Sequence, residues 1–105
     1  MGITTSSDRS DVVETGLDHA VLTVGTTITE VKVGASRNAT RQIVVIYNES
    51  NNRTLWWGKS SVASSGSGRG FPILPGQSVS LPVGDIGIYI IGEASGQTAW
   101  VAEIG

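Results

Sequence analysis

The sequence predicts an all-β fold: a single β-sandwich, jelly-roll-like, of about eight short antiparallel strands with an extended N-terminal arm. Three observations carry this. Gly and β-branched residues interrupt every window that would hold an i, i+3, i+4, i+7 apolar stripe, so no helix longer than a turn is expected. Short segments rich in Val, Ile, Thr, Tyr and Trp recur instead, bounded by Gly, Pro and Asn. The length of 105 residues suits one domain with one modest core. Residues 1–17 lack periodicity and are assigned to the arm; residues 18–105 are assigned to the sandwich.

The strands are expected in this order. His19–Val24 comes first. Thr27–Val33 follows, with Ile28, Val31 and Val33 apolar and Glu30 and Lys32 projecting away. Arg41–Tyr47 is apolar on both faces: Ile43, Val45 and Tyr47 on one, Val44 and Ile46 on the other. Such a strand is covered on both sides, by the core and by another layer or subunit. Asn48–Asn52 reads as a hairpin loop returning through Arg53–Gly58. Lys59–Gly70 ends in Ser64-Ser65-Gly66-Ser67-Gly68-Arg69-Gly70 and reads as a flexible loop or crossover. Phe71–Leu74 leads into Pro75-Gly76, a type II turn pair. In Gln77–Val83, Val79, Leu81 and Val83 point inward while Ser78 and Ser80 point out. Ile86–Gly92 and Thr98–Ile104 are read as a hairpin around Glu93–Gly96, with Trp100, Ala102 and Ile104 on one face and Ala99, Val101 and Glu103 on the other.

Composition narrows the function classes. Without cysteine there is no disulfide framework, thiolate nucleophile, Cys-type zinc site or iron–sulfur cluster. One histidine is too few for a multi-His metal site within the chain, so neither metal nor cofactor is expected. A net charge of −2 argues against a nucleic-acid partner. Charged residues make up 15%, below the roughly 25% usual for soluble domains, so much of the surface is either neutral-polar or covered by partners. No basic segment precedes an apolar one near the N-terminus, and the longest nearly apolar run, Ile86–Gly92, is too short to span a bilayer. The expectation is a soluble protein made in the cytoplasm, with no membrane partner. The sequons at Asn38, Asn48 and Asn52 read as loop composition.

No motif reads as a catalytic centre. Gly66–Gly70 is followed by Phe71-Pro72 rather than by a helix start, which denies it the geometry of a phosphate loop. Asp18 and His19 are strand neighbours and point to opposite faces, so Asp18 is badly placed to orient the imidazole. Asp8 and Asp11 lack the alternating oxygen ligands of a calcium loop, and the carboxylates are scattered. Arg37, Arg41 and Arg53 with Lys32 read as a solvated face with local partners such as Glu30. Trp56-Trp57 is the informative pair. One indole must face outward, where an aromatic ring serves a protein contact, stacks on a sugar, or is covered by the Lys59–Gly70 loop or the N-terminal arm. The expected binding surface is Trp56, Trp57, Tyr47, Val44, Ile46 and Phe71.

Several segments share a wider pattern: Arg41–Asn48, then Thr54-Leu55-Trp56-Trp57-Gly58, then Gly70, Leu74–Leu81, Ile88–Gly92 and finally Val101-Ala102-Glu103. This pattern resembles small β-sandwich modules of tailed-bacteriophage virion proteins, of the capsid decoration (cement), head-fibre and tail or neck types. The resemblance covers about residues 41–104 and brings no catalytic residue with it. It implies a non-enzymatic virion structural protein. The leading expectation is a cement protein that binds the major capsid protein or other virion proteins as a homo-oligomer, with a trimer expected. A tail or neck component, or a carbohydrate-binding host-recognition module stacking a glycan on Trp56 or Trp57, is the alternative.

Overall fold

A computed structural model describes residues 16–105. The expected arm therefore lies outside the described residues, apart from Gly16 and Leu17. Eight strands follow: β1 (Leu17–Val24), β2 (Thr29–Glu30), β3 (Ile43–Asn48), β4 (Leu55–Gly58), β5 (Phe71–Ile73), β6 (Ser78–Leu81), β7 (Tyr89–Gly92) and β8 (Gln97–Ile104). They form two antiparallel four-stranded sheets, ordered β1-β8-β3-β6 and β2-β7-β4-β5. Every connection except β4–β5 crosses from one sheet to the other. This is the double Greek-key winding of a jelly roll, which settles the strand order that alternation left open.

That winding corrects two expected hairpins. Asn48–Asn52 and Glu93–Gly96 are corners between sheets, because β3 and β8 lie in the first sheet and β4 and β7 in the second. Buried amide side chains hold both corners. Asn48 Nδ2 donates to the carbonyls of Arg53 and Ile73, each at 2.8 Å, and its Oδ1 accepts from the Ser50 amide. Gln97 Oε1 accepts from the amides of Glu93 and Ala94, and its Nε2 donates to the Thr54 carbonyl. The Pro75-Gly76 turn is also a corner. Gly76 has φ 76°, and the Gln77 amide donates to the Leu74 carbonyl at 3.0 Å, as the type II pattern requires.

The core is built from Val24, Val31, Val44, Ile46, Leu55, Ile73, Ile90, Ala99 and Val101, with Leu81 and Ile88 at its margin. Val44 and Ile46 are fully buried there, so these two residues of the expected binding surface present nothing to a partner. The alternation in β6 is observed, with Leu81 buried, Val79 half-buried, and Ser78 and Ser80 exposed.

The second strand is much shorter than the expected Thr27–Val33. Its main chain leaves the ladder early: the Val31 amide still bonds the Ile88 carbonyl, but the Val33 amide donates to the Glu103 carboxylate. A short edge strand offers little template to another chain, and β5, at the other edge of that sheet, carries Pro72.

Candidate assembly surface and aromatic cleft

Register fixes what the outer face of the first sheet carries. Leu17, Ile104 and Ile43 form one row across β1, β8 and β3; Val21, Trp100 and Tyr47 form another. Between them His19, Ala102 and Val45 align, and Ser78 and Ser80 of β6 complete the face. Leu17 is 49% exposed, Val21 50%, Trp100 45% and Tyr47 37%. No Asp, Glu, Lys or Arg stands in these rows. The indole N–H of Trp100 donates to the Glu49 carboxylate at the corner after β3, which orients the ring.

The second feature is a cleft of about 480 Å³ at one end of the sandwich. Its bed is the aromatic pair Trp57–Phe71, stacked with centroids 5.0 Å apart and planes at 27°. Ile86, Ile88, Val62 and Gly70 line it as well, together with Lys59 and Arg69, both of them exposed. Trp57 sits here because Leu55 and Trp57 share the inward side of β4 and Ile90 pairs with Trp57 in the neighbouring strand. Phe71 and Ile86 remain 65% and 66% exposed.

Lys59–Gly70, read from its composition as a flexible loop or crossover, is a loop between β4 and β5 with main-chain bonds of its own. The Val62 amide bonds the Lys59 carbonyl, and Ala63 pairs with Gly68 and Gly70 through main-chain bonds. Val62 is buried as a plug. Gly70 makes this closure possible. A Cβ there would lie 2.4 Å from the Trp57 carbonyl oxygen and 2.5 Å from Val62 Cγ2.

The expected surface residues are thus dispersed. Trp57 and Phe71 meet in the cleft, Tyr47 lies on the outer face of the first sheet, and Trp56 is half-buried on the outer face of the second, opposite Pro72 and Ile91. The most exposed tryptophan is Trp100, which the sequence reading placed on a face but not in a site. Its strand misleads, because the small Ala99 and the charged Glu103 take the inward side.

The basic residues separate too. Arg41 is buried against Glu103, and Arg37 and Lys32 both pair with Glu30. The Arg37 guanidinium, 2.6 Å from Glu30 Oε2, holds that carboxyl below the ordinary value against a smaller opposing desolvation, and Glu30 in turn raises Arg37. Asp18 accepts from the backbone amide of His19, not from its ring. Asn48 is fully buried with its amide engaged, so its sequon is closed to glycan transfer in the folded chain. Among the described residues no three His, Cys, Asp or Glu side chains gather as a metal site, and no helix is long and apolar enough to cross a membrane.

No protein-family model and no curated protein matches the chain. Among solved structures, a chain from the Bacillus endospore appendages, described as a family of disulfide-linked pili, aligns with 16% identity and a TM-score of 0.43. The alignment covers 84% of this chain and 85% of that one. Likeness at this level assigns no function.

Proposed function

We propose that the protein is a non-enzymatic structural subunit of a tailed-phage virion, a capsid decoration protein that binds the head shell as a homo-oligomer. The observation that carries the assembly reading is the pair of apolar rows centred on Trp100 and Tyr47, with His19 between them and the Glu49 carboxylate at the edge. A contiguous exposed apolar sheet face is uncommon on a monomer and marks an interaction surface. Aromatic anchors without charge are what the centre of such an interface requires. Copies of the chain meet through this face, and closed threefold symmetry gives every copy the same contacts. The major capsid protein is the further partner, and the virion is the location. The pattern over residues 41–104 supports the virion part of the reading. The alternative, a glycan module, finds no carboxylate or amide side chain in the aromatic cleft to receive sugar hydroxyls.

The test is sedimentation of the full chain with heads assembled from the major capsid protein encoded in the same genome. Saturable co-sedimentation is expected. A protein that stays at the top of the gradient overturns the capsid reading. A concentration-dependent change of tryptophan fluorescence on a glycan panel would favour the alternative.

A further inference from the structure

The edges of the two sheets are not alike. β2 is two residues long, β5 is three with Pro72 among them, and β6 is four. β1 is eight residues long and holds no Pro, Lys or Arg. Shortness, Pro and cations are what shield a sheet edge from another chain, and β1 has none of them. The ladder also fixes which of its main-chain groups point away from β8. The Gly105 amide donates to the Gly16 carbonyl, one step beyond the Leu17–Ile104 pair. Bonded and unbonded pairs alternate along an antiparallel ladder, so Asp18, Ala20, Leu22 and Val24 are the residues bonded to β8. The β3 side agrees: the Glu49 amide donates to the Thr98 carbonyl, which commits the even-numbered residues of β8 to β3. The main-chain groups of Leu17, His19, Val21 and Thr23 therefore face the open edge. The His19 amide is engaged there by the Asp18 carboxylate, while the amides of Val21 and Thr23 have no partner among the described residues.

We propose that β1 is a strand-addition edge whose occupant is β1 of a second copy, antiparallel about a twofold axis at Val21. The residues with open main-chain groups are also those whose side chains stand on the outer face, so only registers that set odd-numbered residues opposite odd-numbered ones continue the sheet. With Val21 opposite Val21, His19 falls opposite Thr23 on either side of the axis, and each pair exchanges two main-chain bonds. This register also joins the apolar rows end to end. Tyr47, Trp100 and Val21 of one copy run on into Val21, Trp100 and Tyr47 of the other. The adjacent registers set Val21 against His19 or Thr23 and break that row. A second copy is thus the partner that matches the edge both in main-chain pairing and in side chains. The contact lies in the plane of the sheet and leaves the outer face open. It goes beyond the capsid reading and needs no part of it, although Val21 serves both contacts.

Two measurements on the full chain test it. In the first, amide hydrogen exchange is followed by NMR from low to high micromolar concentration. The Val21 and Thr23 amides should slow at least about tenfold, as a newly made main-chain bond implies, while Ala20 and Leu22, already bonded to β8, change less. In the second, the absence of cysteine gives cross-linking a clean background. With the shortest bis-methanethiosulfonate linker, Val21→Cys should give the highest homodimer yield. His19→Cys and Thr23→Cys should each give little alone and should link to one another when mixed. Thr23→Pro added to Val21→Cys should lower the yield at least about tenfold. It removes an edge donor, takes none from β8 and leaves the apolar rows in place, so contacts through the outer face are spared. Far-ultraviolet dichroism checks that this variant folds; if it does not, exchange in the native chain and the other cross-links decide. Exchange at Val21 and Thr23 that ignores concentration, equal yields at 19, 21 and 23, or a yield indifferent to Thr23→Pro in a folded variant overturns the inference. Capsid co-sedimentation is scored separately, so either reading can fail while the other stands.

Discussion

Arg41 and Glu103, 62 residues apart in sequence, form a fully buried ion pair at 2.7 Å. Arg41 also donates to the carbonyls of Val31, Gly84 and Ile86, and Glu103 accepts from the amides of Val33 and Asn38. Glu103 therefore does for the irregular stretch after β2 what a strand ladder does elsewhere: it satisfies main-chain donors. Glu103→Ala leaves a buried guanidinium without its counter-charge and the amides of Val33 and Asn38 without partners. Destabilisation of about 3–5 kcal/mol is expected from breaking such a pair, read as a lower urea midpoint. A Glu103→Leu/Arg41→Met double variant should recover part of it, because it removes both charges.

Asn48 gives a smaller, sharper case. Asn48→Ala orphans the carbonyls of Arg53 and Ile73 at the corner between sheets. The expected loss is about 1–3 kcal/mol, measured by thermal unfolding. Asn48→Asp keeps the acceptor to Ser50 but not the donors, and should fall nearer to Ala than to the native residue.

The Glu30–Arg37 pair predicts an acid dependence. Because the folded-state pKa of Glu30 is lowered, its contribution is fully present above the ordinary value of 4.5 and is lost as pH falls through the lower folded value. The melting temperatures of native protein and Glu30→Gln should differ at neutral pH and converge in acid. The pair is partly solvated, so the difference is worth at most about 1 kcal/mol. A gap that widens on acidification would contradict this account.

Trp100→Ser with Val21→Ser tests the apolar face. Both positions are about half exposed, so the fold should survive, with about 1 kcal/mol lost per site from their cross-strand pairing. Light scattering should show the native chain as an oligomer and the double variant as a single chain. A native protein of one-chain mass at micromolar concentration would remove the face from the account.

Gly70→Ala probes the loop over Trp57. The Cβ would strike main chain, which cannot swing aside as a side-chain tip can. Overpacking of this kind costs about 1–3 kcal/mol. The near-ultraviolet dichroism of Trp57 should weaken, since the loop must lift away from the ring.

β6 was legible because apolar and polar residues alternate, Val79 and Leu81 with Ser78 and Ser80, and β3, β4 and β7 because short β-branched and aromatic runs stand between turn residues. The sheet assignment was not. A corner and a hairpin use the same Asn, Ser and Gly chemistry, and only the partners of Asn48 and Gln97 across the sandwich separate them. The inward side of β3 was equally ambiguous, since Val44 and Ile46 are no more apolar than Ile43 and Val45. In β8, hydrophobicity pointed the wrong way: Trp100 faces outward while Glu103 is buried, a reversal that makes sense only with Arg41 beside it. The cleft was invisible because Trp57, Phe71 and Ile86 come from three separate segments.

The placement of β8 between β1 and β3 also sets an order of events in folding. Among the described strands, β1 pairs only with β8, about 70 residues later, so the first sheet cannot close until residues 97–104 are in place. Closing that sheet carries a large loop-closure entropy, which must be overcome before those pairings contribute. Until then β1 and β3 lack the strand that joins them, and the apolar rows of the future outer face are divided between β1 and the β3–β6 pair. Assembly through that face is possible only once β8 has joined its two neighbours.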